Sequence, residues 1–486
     1  MTRPISRRSL CRGLALLPVG AAFVAQPARA FFERDAYDVI VVGAGGAGLA
    51  AALTAAEGGA SVLLIEKMPA IGGNTLRASG LFNAADPERQ RPMGIEDSPE
   101  WHYEQMMASG RHKATPEVVR RFVTEALPTL HWLESLGVRF LPSTVTTWGA
   151  EWPRGHKPLQ PRGQAYIRVL SAECIRRGVR IRTRLAMTRL VTENGRVCGI
   201  EARDLSPESG NAILRLRARR AVVLAAGGFG ANAKLVAEHR PDLRNIPSDN
   251  NPGNTGEVML EAMRAGAAST GLAYIQCVPG APFGRPFQVR LDLDAGRIVM
   301  VDARGRRFVD EDQSRDVLAQ AVLRHPIGSV FMITDNASVN AMDLVSRKDV
   351  YRGLQTKDAV RADTLEALAV TAGIPPDALR ASVEAFNREV GQRTGKCGRI
   401  TCRPIAEPPF WASRVILNVH TTMGGLVITP DAQVLDKAGR IIPGLLAAGE
   451  ITGNVHGENR IGGNGIADAV TFGRIAGQTA LKTPRG

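Results

Sequence analysis

The sequence predicts an α/β fold with a parallel sheet, and three observations near its beginning carry this prediction. An apolar run from Val39 to Val42 is typical of a buried parallel strand. It leads into the glycine-rich segment 43–48, GAGGAG, and then into an alanine-rich stretch of helical character. A second apolar strand, from Ser61 to Ile65, ends at Glu66. Strand, glycine turn, helix and strand in this order indicate a Rossmann-like unit.

The segment 43–48 fits G-x-G-x-x-G, and each glycine in it has a physical role. Gly43 permits the tight turn, Gly45 lets the backbone approach a pyrophosphate, and Gly48 lets helix and strand pack closely. The positive end of the helix dipole then faces the phosphates. Glu66 stands where a carboxylate accepts a hydrogen bond from an adenosine ribose hydroxyl. We therefore predict a dinucleotide site rather than a glycine turn without a ligand.

The length of 486 residues suggests two or three domains. The formal net charge is +14, and residues 1–30 contribute five arginines and no acidic residue. A basic chain attracts anionic substrates or an acidic redox partner, although a solvated basic surface has the same composition. No block of Lys and Arg with interleaved aromatic residues is present, so we predict no nucleic-acid partner.

Residues 1–30 have the pattern of a twin-arginine signal peptide. Arg7 and Arg8 precede a short apolar stretch, 13–25, and Ala28-Arg29-Ala30 is typical of a cleavage site. The apolar stretch is too short to span a bilayer unaided. We predict export to the periplasm in a folded, cofactor-loaded state, without a permanent membrane anchor; an uncleaved anchor is the alternative.

Five cysteines follow this segment: Cys174, Cys198, Cys277, Cys397 and Cys402. An odd number leaves at least one free thiol, and Cys397 and Cys402 are placed to pair in an oxidising compartment. No C-x-x-C-H occurs, so we expect no c-type haem on this chain, and no metal-ligand spacing occurs either.

The first half of the chain continues with loops, helices and a β meander. Residues 71–84 contain glycines beside Asn and Thr, which suits a loop pressed against a cofactor. Residues 97–137 are expected to be helical, and 138–165 to be loop. Asn194-Gly195 indicates a hairpin within a meander over 179–225, with Ile213 to Arg217 as the returning strand.

Another apolar strand, from Ala221, ends in glycines at 227–230 and can lie beside the same ligand. The Asn-, Pro- and Gly-rich segment 241–256 precedes a helix expected over 258–265. Residues 274–415 are expected to form a second, mixed α/β domain. The chain then returns to strands and glycines and ends in a helix over about 465–481.

Together these motifs resemble the soluble fumarate reductase and flavocytochrome c family of FAD-dependent oxidoreductases; urocanate reductases and 3-ketosteroid dehydrogenases are more distant relatives. The resemblance covers nearly all of residues 37–483. Its most specific parts are GAGGAG, GGNT, AAGGFG, GRRFVDEDQSRD, HTTMGG and AAGEITGNVHGENRIGGNGIADAVTFGRIAG. It implies a Rossmann-like FAD-binding domain formed by residues 37–273 and 416–486, with an α+β capping domain, 274–415, inserted between them.

The resemblance also implies the residues that bind FAD. They are Gly43, Gly45, Gly48, Glu66, Lys67, Gly73, Asn74, Thr75, Gly80, Gly227, Glu257, Glu450, Gly465 and Ile466.

Three further positions match the chemistry of the family. Arg315 matches an arginine that delivers a proton, His420 a histidine that binds a substrate carboxylate, and Arg460 an arginine that clamps it. The implied reaction is hydride transfer from the reduced flavin to the β carbon of an unsaturated acid, with protonation at the α carbon. Taken singly, Arg315 also suits a surface ion pair with Asp312 or Asp316. His420 also suits a core histidine, and Arg460 a loop cap.

Departures from the family pattern bear on the substrate. Fumarate-specific members carry Q-x-H-P-T, whereas this chain has Gln276-Cys277-Val278-Pro279-Gly280. The usual Thr-Glu pair falls near 289–291, so Asp292 or Asp294 is expected to relay protons to Arg315. With an apolar end of the site at Val278, we expect a mono-acid or a larger or heteroaromatic acrylate rather than fumarate.

Three alternatives remain for the activity: dehydrogenation in the reverse direction, a 3-ketosteroid-like substrate, and a non-catalytic flavin electron-transfer protein. A 3-ketosteroid-like substrate requires tyrosines beside its ketone. All five tyrosines precede residue 416, so none lies in the C-terminal part of the expected FAD-binding domain. A chain without haem is expected to take electrons from a separate donor, either a cytochrome c or a quinol-linked subunit.

Overall fold

The computed structural model describes residues 36–146, 152–291, 295–392 and 403–486. The strands are β1 (Ala36–Val42), β2 (Val62–Ile65), β3 (Phe82–Asn83), β4 (Phe140–Val145), β5 (Gly155–Pro158), β6 (Arg180–Arg182), β7 (Leu185–Glu193), β8 (Arg196–Asp204), β9 (Ile213–Leu224), β10 (Ser269–Thr270), β11 (Ile275–Pro279), β12 (Val299–Asp302), β13 (Val330–Thr334), β14 (Ala359–Ala362), β15 (Phe410–Arg414), β16 (Leu417–Thr422), β17 (Gly425–Leu426), β18 (Gln433–Leu435) and β19 (Ile441–Ala447).

The helices are α1 (Gly46–Glu57), α2 (Pro87–Gln90), α3 (Pro99–Ser109), α4 (Pro116–Ser135), α5 (Gln164–Arg176), α6 (Ala233–His239), α7 (Glu257–Arg264), α8 (Arg315–Leu323), α9 (Asn336–Ala341), α10 (Leu344–Thr356), α11 (Leu365–Ala372), α12 (Pro376–Gln392) and α13 (Asn464–Lys482).

The largest sheet has the strand order β18-β19-β9-β1-β2-β6. Strand β1 is parallel to β2 and β9, and β9 is also parallel to β19, which comes from the far end of the chain. The apolar run that predicted β1 is fully buried, as expected for a strand covered on both faces. The predicted α/β class with a parallel sheet is therefore confirmed.

Strands β7, β8 and β9 form the predicted antiparallel meander on this sheet. Asn194 and Gly195 have φ angles of 50° and 75°, the left-handed pair that a tight hairpin turn requires. The returning strand differs from the prediction, because Ile213 to Leu224 is one continuous strand. Its first part pairs with β8 and its second part with β1, so β9 belongs to both the antiparallel meander and the parallel part of the sheet.

Helices α1 and α13 pack together against the sheet, although they lie at opposite ends of the chain. A Cβ atom added at Gly473 would lie 2.3 Å from the carbonyl oxygen of Ala47, and one at Gly477 would lie 2.7 Å from that of Ala51. Glycine at these two positions therefore permits the close approach of the two helices. The C-terminal helix completes the layer that α1 begins.

Residues 295–414 contain a second sheet, which is antiparallel and has the order β12-β13-β15-β14. Helices α11 and α12 cover it, and a separate apolar core forms between them, with Val299, Leu368 and Leu379 among its members. Strand β11 instead pairs with β16 from the C-terminal part of the chain. The described part of 295–414 thus combines helices with an antiparallel sheet, and the domain bounds 274–415 stay a prediction.

The expectation of a loop over 138–165 was wrong in part. Strands β4 and β5 lie in this segment, and β5 pairs with both β4 and β3 to form a small antiparallel sheet. Their short length and the Pro and Gly residues around them hid the pattern of alternation. Trp148 lies outside the described residues.

Within the described ranges, no helix is both long enough and apolar enough to cross a membrane. Cys174, Cys198 and Cys277 are free and buried. The predicted signal segment 1–30 and the pair Cys397 and Cys402 lie outside the described residues.

We predict that Gly48→Ala destabilises the fold and lowers FAD occupancy. Its Cβ would lie 1.8 Å from the carbonyl oxygen of Gly43, so the helix must move off the strand. We expect a loss of about 3 kcal/mol or more in the free energy of unfolding. Gly59→Ala, just beyond α1, is the comparison, because nothing lies within 4 Å of its Cβ position and only its φ of 80° opposes an alanine, at a cost of about 1–2 kcal/mol. Thermal melts and flavin absorbance measure both variants, and equal behaviour of the two would contradict the prediction.

Candidate active site

One large cavity opens where the parallel strands end. Val42, Ile65 and Ala225 line it at the carboxyl ends of β1, β2 and β9, and the cavity holds about 2150 Å³ of empty space, including its mouth. This is the edge at which open α/β sheets bind ligands. Thirteen of the expected FAD-binding residues line it: Gly43, Gly45, Glu66, Lys67, Gly73, Asn74, Thr75, Gly80, Gly227, Glu257, Glu450, Gly465 and Ile466.

Gly48 does not line the cavity but packs against Gly43, which is the role in helix–strand packing that the motif assigns to it. At Gly45, by contrast, the nearest atom to an added Cβ is 3.8 Å away. The backbone at Gly45 therefore faces open space at the start of α1. A pyrophosphate can approach there along the positive end of the helix dipole.

Glu66 holds this loop together. Its two carboxylate oxygens accept hydrogen bonds from the backbone N–H groups of Ala44, at 3.0 Å, and Met68, at 2.9 Å. Each oxygen retains a second acceptor position, which leaves Glu66 able to bind a ribose hydroxyl. Beside it, Lys67 forms an ion pair with Glu257 and donates to Thr255 at 2.8 Å.

Glu450 connects three distant parts of the chain at the cavity wall. Its carboxylate accepts hydrogen bonds from Asn74 at 3.0 Å, from Asn254 at 3.3 Å and from the backbone N–H of Thr422 at 3.1 Å. Asn74 also accepts from the backbone N–H of Asn251 at 2.7 Å. The loop predicted to contact the cofactor is therefore fixed by the C-terminal segment and by the Asn-rich segment together.

The two predicted arginines meet through Gln276. The Gln276 Oε1 atom accepts from Arg315 Nη1 at 3.5 Å and from Arg460 Nη2 at 3.3 Å. Its Nε2 donates to Asn459 at 2.8 Å and to the backbone oxygen of Arg460 at 3.0 Å, so the amide orientation is fixed. Arg315 at the start of α8 and Arg460 before α13 thus place two guanidinium groups in one neighbourhood.

Both guanidinium groups are almost fully buried, with 6% of Arg315 and 7% of Arg460 exposed. Burial lowers the pKa of Arg460, and the negative charges of Glu450, Asp468 and Asp249 act in the opposite direction. Arg315 is therefore not on the surface, and Asp316 pairs with Arg111 at 2.7 Å. Two buried cations in one cavity form a site for an anion.

His420 lies on the same cavity wall, and its Nδ1 is 3.0 Å from Asp249 Oδ2. Burial raises the pKa of Asp249, but the charge and hydrogen bond of His420 and the charges of Arg290 and Arg77 outweigh it, so the pKa lies below its ordinary value. Asp249 is therefore an anion inside the protein. All three predicted catalytic residues, Arg315, His420 and Arg460, line one cavity.

The segment after β11 supplies polar groups to the end of the cavity that the two arginines line. Gln288 and Arg290 line it, whereas the alternate residues Val289 and Leu291 are buried in the core.

Val278 is fully buried on β11 and does not line the cavity, so the expectation of an apolar end of the site at Val278 was wrong. Residues two apart on a regular strand share a face, but the pairing of β11 with β16 shifts register between Gln276 and Cys277. This irregularity separates Gln276, which contacts the arginines, from Val278, which lies in the core. Asp292 and Asp294 lie outside the described residues.

The cavity retains polar atoms that need partners. Asn254, Arg460 and Asp468 line it. Each has one buried atom without a hydrogen-bond partner among the described residues: Oδ1 of Asn254, Nε of Arg460 and Oδ1 of Asp468. Buried polar groups without a partner are uncommon in native proteins. Together with the open backbone at Gly45 and the acceptor positions of Glu66, they fit a large polar cofactor such as FAD.

The sequence pattern missed several residues of this site. Asp249 and Asn254 lie in the segment 241–256, for which the sequence predicted only the helix that follows it. Gln288 and Arg290 lie at or beside 289–291, where the sequence showed only a departure from the family pattern. The available signal was weak, because Asp249 and Asn254 follow helix α6 rather than a strand and no motif marks them.

Comparison with known proteins agrees with this geometry. A family model described as FAD binding domain matches residues 38–466. The NADH:fumarate oxidoreductase of Klebsiella pneumoniae is 34% identical over 97% of this chain and 50% of its own length. A fumarate reductase (cytochrome) of Shewanella frigidimarina is 35% identical over 94% of this chain and 79% of its own length. The open conformation of a flavocytochrome c3 fumarate reductase superposes with a TM-score of 0.74 at 33% identity, covering 92% of this chain and 78% of that chain.

The matched domain and the cavity define a flavoprotein whose cofactor is FAD. Within that class, the chain belongs to the soluble fumarate reductase and flavocytochrome c family of FAD-dependent oxidoreductases. It spans about half the length of the two NADH-dependent curated relatives that it matches, from Klebsiella pneumoniae and Vibrio harveyi.

We predict that Gln276→Leu weakens carboxylate binding, because the two guanidinium groups lose the shared acceptor that holds them together. Hydrogen bonds to charged groups contribute about 1.5–3 kcal/mol, so we expect the dissociation constant for acrylate to rise roughly 10- to 100-fold. Gln355→Leu, on the exposed surface of α10, is the control. The change in flavin absorbance on titration with acrylate measures both, and an unchanged affinity in Gln276→Leu would contradict the prediction.

Proposed function

We propose that this protein reduces the C=C bond of an α,β-unsaturated carboxylate. The observation that supports this proposal is the meeting of Arg315 and Arg460 at Gln276, in the cavity that His420 also lines. The relatives named above are a NADH:fumarate oxidoreductase and a fumarate reductase (cytochrome). Two buried guanidinium groups favour an acid over a neutral ketone, which argues against the steroid alternative.

In the proposed reaction, Arg460 and His420 bind the substrate carboxylate and draw electron density away from the double bond. This stabilises the negative charge that develops at the α carbon. Burial excludes water from the two guanidinium groups and thereby strengthens their electrostatic effect. When bound, FAD supplies the hydride that reduces the β carbon.

Arg315 is proposed to hold the proton that reaches the α carbon. A guanidinium holds its proton throughout the ordinary pH range and is a weak acid, so the step requires a strongly basic carbon centre and rapid reprotonation of the side chain. Asp292 or Asp294 is proposed as the carboxylate that returns this proton. Dehydrogenation in the reverse direction uses the same groups, and the electron supply decides between the two.

We propose the domain bounds, the cellular location and the electron donor from patterns in the sequence. Residues 37–273 and 416–486 form the FAD-binding domain, and 274–415 the cap. The twin-arginine pattern in 1–30 supports export to the periplasm, where a cytochrome c or a quinol-linked subunit supplies electrons.

We expect Arg315→Ala to abolish reduction while FAD remains bound. Removal of a proton donor lowers kcat about 10²- to 10⁴-fold. Turnover of acrylate, fumarate and bulkier enoates with reduced viologen as donor measures the effect, and the same panel ranks the substrates. Arg324→Ala, an exposed arginine next to the end of α8, is the control. Full turnover in Arg315→Ala would refute the assigned role, and a wild-type protein with full FAD and no turnover on any enoate would favour an electron-transfer protein.

A further inference from the structure

Asp249 is a buried carboxylate in the cavity wall to which the proposed reaction assigns no role. Only 4% of the residue is exposed. Its Oδ2 lies 3.0 Å from Nδ1 of His420 and accepts a longer hydrogen bond, at 3.4 Å, from Gln288 Nε2. A buried anion is unfavourable unless nearby groups compensate its charge. Asp249 contacts His420, which is proposed to bind substrate, and this contact indicates the role of the buried carboxylate.

The backbone holds Asp249 rigidly beside His420. The N–H of Asp249 donates to the carbonyl oxygen of Val419 at 3.3 Å, next to His420 in the chain. Its carbonyl oxygen accepts from Arg77 Nε at 2.6 Å. One partner comes from the strand that carries the histidine and the other from the glycine-rich loop after β2. The carboxylate is therefore fixed relative to the imidazole from two sides.

This contact determines which nitrogen of His420 faces the substrate. With Nδ1 hydrogen-bonded to Asp249, the remaining nitrogen, Nε2, is available on a residue that lines the cavity. A carboxylate on one ring nitrogen sets the tautomer and stabilises the protonated ring. A protonated imidazole binds a carboxylate more strongly than a neutral one, because the hydrogen bond is charge-assisted.

We propose that Asp249 is a positioning residue for His420. It takes the Nδ1 hydrogen, leaves the Nε2 hydrogen for the substrate carboxylate, and supplies the countercharge that lets the imidazolium form when that carboxylate binds. This inference rests on the proposed function for the identity of the bound group as an acid. It adds a dyad of imidazole and carboxylate to the pair of arginines.

The other charges around the dyad make the countercharge necessary. Arg77 and Arg290 face Asp249, and Arg315 and Arg460 line the same cavity. These cations disfavour a further positive charge on His420. Glu450 lines the cavity as well, but its carboxylate is engaged by Asn74, Asn254 and Thr422. Asp249 is the carboxylate in direct contact with the ring.

The test is the affinity of FAD-loaded protein for acrylate, measured by flavin absorbance from mildly acidic to mildly alkaline pH. Asp249→Asn keeps the shape and removes the charge. We expect its dissociation constant at neutral pH to be about 10-fold higher than that of the wild type, as for the loss of one charge-assisted contact. The difference should shrink at acidic pH, where an imidazole in general is protonated with or without a carboxylate partner. KM should rise by a similar factor, and kcat should fall by less than it does in Arg315→Ala, because the proton donor is retained.

Two further variants complete the experiment. Asp249→Glu restores the charge and should recover part of the affinity. Asp242→Asn is the control, since Asp242 pairs with Arg240 near the surface. Equal affinity of Asp249→Asn and the wild type, or a loss of the same size at every pH, would overturn the proposed role.

The outcome is separable from that of the proposed function. Acrylate binding with the pH-dependent difference, but without turnover of any enoate, would refute the proposed reduction and support the role of Asp249. Turnover without that difference would refute the role of Asp249 alone.

Discussion

The hydrogen bonds to the Glu450 carboxylate hold together the parts of the chain that form the site. Asn74 lies after β2, Asn254 before α7, and Thr422 at the end of β16, and all three donate to this carboxylate. Hydrogen bonds to a charged group contribute about 1.5–3 kcal/mol each when the group is shielded from water. Without Glu450, the glycine-rich loop and the strand that carries His420 would lose their common partner.

The same cavity shows how a protein accommodates two buried guanidinium groups side by side. Their mutual repulsion and the loss of hydration both oppose this arrangement. The carbonyl oxygen of Gln276 contacts both groups, and the negative charges of Glu450, Asp468 and Asp249 act on Arg460 from a greater distance. The result is a site that is ordered before its ligand arrives and complementary to an anion, which is the condition for electrostatic catalysis.

Some parts of this structure could be predicted because a short, continuous stretch of sequence determines them. The unit from Val39 to Glu66 combines a buried strand, a glycine turn and a terminal acid within thirty residues, and it folds as that pattern predicts. The predicted catalytic residues came from motifs that a family resemblance supplied. Asp249 could not be found in this way, because its role depends on pairing with a histidine 171 residues later. Val278 was misplaced for a related reason: whether a strand residue faces a cavity depends on register, which the sequence did not settle.

The arrangement of the main sheet determines when the protein is able to fold. Strand β19 completes the sheet beside β9, and α13 covers α1, yet both elements belong to the last fifth of the chain. While a ribosome is still making the chain, β9 has an open edge and α1 an uncovered apolar side. Contacts between such distant segments form slowly, and the incomplete chain exposes surfaces that aggregate. Until its final helix has emerged, the nascent chain therefore lacks the segments that bury these surfaces in the folded protein.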